Sequence, residues 1–202
     1  MILENKEVMK NLFKAFKLTI AFCVLFSVLY ILVLWVFAKV AGPNNGNADV
    51  VVVDGKVVGA ANVGQAFTDS IYFWGRPSCA GDGYDASSSG GSNKGATNPE
   101  YLAEVNARID TFLVKHPYLK RSEVPADIVT ASASGLDPEI SKEGAYVQVR
   151  RVAEARGMSE ESVKSIVDKV ADGALLGLFG PDSRVNVLKL NVALDEAQKT
   201  GK

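Results

Sequence analysis

The 202-residue sequence predicts an α+β domain carried behind one N-terminal membrane-crossing helix. Three observations predict it. Leu18 to Ala38 reads LTIAFCVLFSVLYILVLWVFA, 21 residues without a charge, and a helix needs about 20 apolar residues to cross a hydrocarbon core. Further on, Asp54-Gly55 joins two β-branched runs, a strong hairpin signal. Three later segments then repeat apolar residues at helical spacing between capping residues, without the regular βαβ alternation of a doubly wound sheet.

The elements follow in order. Residues 1–17 hold Lys6, Lys10, Lys14 and Lys17 against Glu4 and Glu7. Basic flanks stay in the cytoplasm, so 1–17 is expected as a cytoplasmic basic tail, 18–39 as a transmembrane helix and 40–202 as an extracytoplasmic domain. A cleavable leader has a shorter apolar core and a small-x-small site, and Val36-Phe37-Ala38 is a poor one, so the span is read as a retained anchor. Trp35 fits an interfacial belt, and Lys17 and Lys39 bracket the run. Gly42 to Asn47 is a linker. Val50–Val53 and Lys56–Val58 form the hairpin, and Gly64 to Thr68 leads into a long polar loop, 72–99.

Asn98 caps a helix with Pro99 at its first position. Leu102, Val105, Ile109, Phe112 and Leu113 give that helix a buried stripe, and Pro117 ends it. Val124 to Val129 reads as a short strand. Thr130 to Gly135 is a second small-residue loop, a weak echo of Ala86 to Gly90. Asp137-Pro138 and Ser141 open a helix with Ala145, Val149, Val152 and Ala153 inside and Gly157 as its stop. Ser159 caps a third helix, with Glu160 and Glu161 in its first turn and Val163, Ile166, Val167 and Val170 inward. Val185 to Leu190 alternates like a strand.

Composition narrows the function classes. Hydrophobic residues make up 48% and charged ones 22%, ordinary values for a folded protein, so it is their clustering that marks the span. Beyond Lys39 there are 17 basic and 21 acidic residues, which argues against nucleic acid as a partner. Cys23 lies in the span and Cys79 in the loop, so no internal disulfide is expected. Two cysteines and one histidine do not make a zinc site, and no metal site is expected.

The loop is the candidate functional segment. It is too polar and too rich in Gly and Ser for core, yet it carries aromatic anchors, Arg76-Pro77 and the carboxylates Asp82 and Asp85. Long loops with such anchors are usually functional. Ser88 to Ser92 (SSGGS) has the look of a phosphate-cradling turn, although no Walker A sequence is present. Asp69, Asp82 and Asp85 offer oxygen to cations or simply form turns, and Arg76 is placed to pair with one of them. His116, expected to complement a helix C-terminus, would be the base of any serine hydrolase, but no G-x-S-x-G elbow surrounds a serine. No catalytic residue is assigned.

YFWGRPS at 72–78, YDASSSGGSN at 84–93 and TNP at 97–99 resemble the central signature of the KdpC family. The likeness continues through DGKVVG at 54–59, Gly64-Gln65, VPAD at 124–127, TASASGLDP at 130–138, Ile140-Ser141, RRVA at 150–153, RVNVLKLN at 184–191 and ALD at 193–195. With the single span it covers essentially the whole chain. Cys79 and Gly81-Asp82-Gly83 depart from the usual pattern, which bears on loop geometry.

The resemblance implies a non-catalytic subunit of an ATP-driven potassium import complex in the bacterial plasma membrane. Its partners would be the channel-like KdpA, the P-type ATPase KdpB, the small KdpF and membrane lipid. It would have no cofactor of its own, while the complex uses potassium and Mg-ATP. The family is described both as raising the ATP affinity of KdpB, with the SSGGS region as nucleotide contact, and as capping the potassium entrance of KdpA. An extracytoplasmic loop fits the second description. The functional surface is expected at Arg76, Pro77, Ser78, Tyr84, Asp85, Ser87, Ser89, Gly90, Gly91, Ser92, Asn93 and Asn98, as an ion-facing, partner or nucleotide contact, with a rigid structural clamp as the plain alternative. Rival functions are a membrane-anchored hydrolase using Ser and His116, and a sensor ectodomain.

Overall fold

A computed structural model describes residues 2–174, 177–178, 180 and 183–200. The chain divides into two units, Met1–Ala48 and Asp49–Lys202.

The first unit is helical. Helix α1 (Ile2–Val24) runs through a π-helical stretch, Leu25–Tyr30, into α2 (Ile31–Ala41). The basic segment is thus itself helical, with Lys10 paired to Glu7 at 2.9 Å. The stretch Lys6–Ala41 is long and apolar enough to cross a membrane. Its large apolar side chains, from Val8 to Val40, are exposed all round, the pattern of a helix solvated by something other than water. Pro43–Gly46 then forms one tight turn, in which Asn44 and Asn45 take left-handed φ values of 50° and 51°.

The second unit is α+β. Strands β1 (Val50–Val53) and β2 (Lys56–Ala60) pair antiparallel. Asp54 and Gly55 take φ values of 49° and 76°, the two left-handed positions a type I′ turn requires. Helix α3 (Pro99–Lys115) starts as expected, with Asn98 Oδ1 accepting from the amides of Glu100 and Tyr101 at 2.9 and 3.1 Å. Its stripe is narrower than expected. Phe112 is buried, but Leu102 is 47% exposed.

The expected strand at 124–129 is instead a short helix, α4 (Ala126–Val129). Pro125 fixes the entry, and the Thr130 amide and hydroxyl both close back on the Ala126 carbonyl. The helix expected from Asp137 starts later, because residues 139–141 form β3 (Glu139–Ser141). Ser141 then caps α5 (Lys142–Tyr146), and α6 (Val149–Arg156) follows and ends at Gly157, φ 66°. Ser159 caps α7 (Glu160–Val170) through the Ser162 amide.

The run at 185–190 is the largest revision. Only β4 (Arg184–Asn186) is strand, paired antiparallel with β3. Asn186 Oδ1 accepts the Lys189 amide at 3.0 Å, an N-cap contact that turns the chain into α8 (Val187–Thr200). Of the apolar residues that look alternating, Val185 is in the strand, while Val187, Leu188 and Leu190 open the helix. The core sits among α6, α7, α8 and β4, where Val152, Val163, Val167, Val185, Leu190 and Leu194 are fully buried.

Candidate functional site

The long loop is built into that core at its root. Phe73 and Ala80 are both fully buried, so the expectation that the loop contributes nothing to the core is corrected. Two buried amide side chains hold the backbone at the root. Asn191 Oδ1 accepts the Phe73 amide at 2.8 Å, and its Nδ2 donates to the Phe73 carbonyl at 3.1 Å. Gln148 does the same for Trp74, at 2.8 and 3.1 Å. Each side chain replaces the neighbour a strand would have, which satisfies backbone groups that are costly to leave unpaired in the interior.

Two buried arginines complete the grip. Arg151 donates to the carbonyls of Ser70 and Tyr72 at 2.5 and 3.0 Å, to Gln148 Oε1 at 2.8 Å and to His116 Nε2 at 2.9 Å. Its guanidinium lies 4.0 Å from the centre of the Trp74 ring. Burial lowers its pKa to about 10, and neutral acceptors with an aromatic face hold the charge. Arg156 donates to the Ile71 carbonyl at 2.6 Å and pairs with Asp195 at 2.8 Å.

His116 is fully buried. Its Nε2 accepts from Arg151, so Nδ1 carries the proton and donates to the Phe112 carbonyl at 2.8 Å. Burial pulls its pKa down to about 4, with Arg151 adding to this and the Phe112 carbonyl opposing it. It therefore meets the helix end as a neutral donor rather than as the cation the sequence suggested. With both nitrogens engaged and no path to solvent, it is not placed to activate a serine.

Beyond the root, Arg76 pairs with Asp137 at 2.8 Å and reaches the Thr130 carbonyl at 3.4 Å. This replaces the expected partner, one of Asp69, Asp82 and Asp85. Ser78 is a hub. Its hydroxyl donates to the Gly135 carbonyl at 2.6 Å and accepts the amides of Ala80 and Tyr84 at 3.2 and 2.7 Å. Tyr84 sits at φ 57° and donates its hydroxyl to the Arg76 carbonyl at 2.7 Å. Burial raises its pKa, Asp137 adds to this and Arg76 opposes it. Pro77 lines a groove with Trp74 and α3.

The two small-residue loops lie against each other. The Gly90 amide and the Ser89 hydroxyl both donate to the Ser134 carbonyl, each at 2.9 Å. Gly91 passes so close that a Cβ would sit 2.9 Å from the Ala133 carbonyl oxygen. Asp85 Oδ1 accepts the amide and hydroxyl of Ser87 at 2.8 and 2.7 Å, a turn-forming role. The Ser87 hydroxyl, then its amide, lowers the Asp85 pKa. Asp69 likewise takes the Ile71 amide at 3.1 Å. Ser92 Oγ accepts the Lys94 amide at 3.4 Å, Asn93 is exposed at φ 53°, and Asn98 is occupied as the α3 cap. Among the described residues no group of three His, Cys, Asp or Glu gathers where a metal ion would sit.

Over residues 12–196 the chain matches the family described as KdpC: K+-transporting ATPase, c chain. The chain belongs to the KdpC family. It is 71% identical over 188 residues to the Potassium-transporting ATPase KdpC subunit of Bacteroides thetaiotaomicron, covering 93% of this chain and 99% of that protein. It is 70% identical over 190 residues to the subunit of the same name from Phocaeicola vulgatus, covering 94% of this chain and 100% of that one. A more distant relative, from Caldanaerobacter subterraneus subsp. tengcongensis, is 49% identical over 189 residues, covering 94% and 96%.

In this KdpC domain the residues the sequence reading missed are Gln148, Arg151, Arg156 and Asn191, all buried. One signal was available. Gln148 and Arg151 interrupt the apolar face that Ala145, Val149 and Val152 define, and a polar residue on such a face must have a partner. That partner, 74 residues away for Gln148, is not readable from spacing.

Proposed function

We propose that this chain is a single-span, non-catalytic subunit of an ATP-driven potassium-importing complex, with KdpA, KdpB and KdpF as its partner subunits. The match over residues 12–196 to the K+-transporting ATPase c chain carries this reading. The helix Lys6–Ala41 is the membrane anchor, in contact with lipid. Its basic start faces the cytoplasm of a bacterium and the 49–202 domain faces outward across the plasma membrane, as the lysines at 6, 10, 14 and 17 favour. ATP hydrolysis belongs to KdpB.

The loop's role in this reading is to present a fixed surface to a partner near the potassium entrance. Its internal bonding favours that over direct nucleotide contact. A phosphate cradle needs free amides in a Gly-rich turn, and here the Gly90 amide and the Ser89 hydroxyl are already given to Ser134. The test is a detergent pull-down of tagged full-length chain from potassium-starved cells. Recovery of a P-type ATPase subunit and a channel-like subunit is the expected result. Recovery of the chain alone would overturn the reading and favour a free-standing sensor.

A further inference from the structure

Between α3 and the Trp74–Pro77 segment lies an open groove of about 430 Å³. Its floor is apolar, made by Trp74, Phe112 and Ile128, and its rim carries Arg76, Arg108 and Lys115. Asp137 offsets Arg76, and Glu104 lies 3.7 Å from Arg108 while also pairing with Lys94. Lys115 has no carboxylate partner among the described residues. The rim therefore keeps a positive excess, although the sequence beyond Lys39 is acidic, 17 basic residues against 21.

The floor is fixed before anything binds. The Trp74 indole donates Nε1–H to the Asp69 carbonyl at 2.9 Å, Arg151 covers one ring face, and Phe112 meets it edge-on at 6.5 Å. A preorganised floor lowers the ordering cost of association. Tryptophan and arginine are also the residue types that most often dominate interface energetics. The groove is open, whereas a small-molecule site would enclose most of its ligand.

We infer that this groove docks an acidic segment of a partner subunit, with an apolar side chain on Trp74 and Phe112 and a carboxylate against Arg108 and Lys115. This rests on the subunit reading above, and the charge complementarity selects the occupant. A like-charged or purely apolar segment would leave the Lys115 cation facing no counter-charge in a contact that excludes water, while Arg108 has only the Glu104 carboxylate it shares with Lys94.

The test uses the whole complex. A benzophenone amino acid replaces Thr111, exposed on the α3 wall of the groove, and the co-purified complex is illuminated in detergent. The expected product joins this chain to one pump subunit, at a peptide with Asp or Glu beside an apolar residue. Lys115→Glu should cut the yield about tenfold, and Lys115→Gln should cut it less. The same probe at Glu161, exposed on α7, should give no such product. An adduct to lipid, to a second copy of this chain or to a carboxylate-free segment overturns the proposal, as does no adduct from an intact complex. Failure to co-purify is a different result, which removes the subunit reading and the docking proposal with it.

Discussion

Arg151 and His116 share a proton arrangement that only one charge state satisfies. Neutral His116 accepts from Arg151 and donates to Phe112, while a protonated ring would turn an N–H toward the guanidinium. The Trp74, Phe112 and Tyr118 rings that pack round it offer no counter-charge. The folded state therefore holds His116 at about 4, against about 6.5 in the unfolded chain. The sign follows from linkage. Between those values the unfolded chain binds more protons, so this stability is fully present above about pH 6.5 and is lost as pH falls toward 4, a change of roughly 3 kcal/mol. Chemical denaturation of the full chain in micelles between pH 7.5 and pH 4.5 should show the loss, and His116→Gln should flatten the slope. Equal slopes in both proteins would remove His116 as its source.

At the scale of elements, the turns and caps carry their own instructions. Asp54-Gly55, Asn98-Pro99, Ser159 and Gly157 act through bonds to neighbours within a few residues, which is why the hairpin and three helix boundaries were legible. Val124–Val129 and Val185–Leu190 were not. A short apolar run fits strand and helix equally, and the deciding contacts are the Thr130 back-bonds and the Asn186 cap. The pairing of the two small-residue loops was equally hidden, since their sequence similarity says nothing of contact. Gly135 is the hinge of that pairing. At φ 67° its Cβ position lies 2.6 Å from the Ala80 nitrogen and 2.7 Å from the Gly90 oxygen. Gly135→Ala should cost at least about 2 kcal/mol, combining left-handed strain with a backbone clash. At Gly157, φ 66° with nothing near, the same change should cost only about 1 kcal/mol. Denaturation midpoints compare the two, and equal losses would mean that the loops are not locked through Gly135.

For the whole molecule, a cysteine in the loop reports the side of the membrane on which the loop lies. Cys79 stands half-buried in it, while Cys23 lies inside the apolar helix. An impermeant thiol reagent applied to intact cells should label the protein, and Cys79→Ser should abolish the label. Labelling only after permeabilisation would place the domain in the cytoplasm and reverse the topology. The span, its basic flank and the α+β class were legible because they depend on composition and period. The candidate surface was legible only as a list of residues. Its shape depends on Gln148 and Asn191 reaching across 74 and 118 positions.

Those two amide side chains also decide how the segment moves. Freeing Phe73 and Trp74 strips four backbone groups of their partners at once, and the two side chains of that grip sit in α8 and at the start of α6. Opening the root breaks all four of these bonds and uncovers the buried Phe73 ring, so it should accompany global unfolding of the domain rather than local fraying. A stretch with no helix or strand of its own should thereby show hydrogen-exchange protection at Phe73 and Trp74 comparable to that of the core helices. Whatever the exposed tip meets, it meets from a base as stiff as the core.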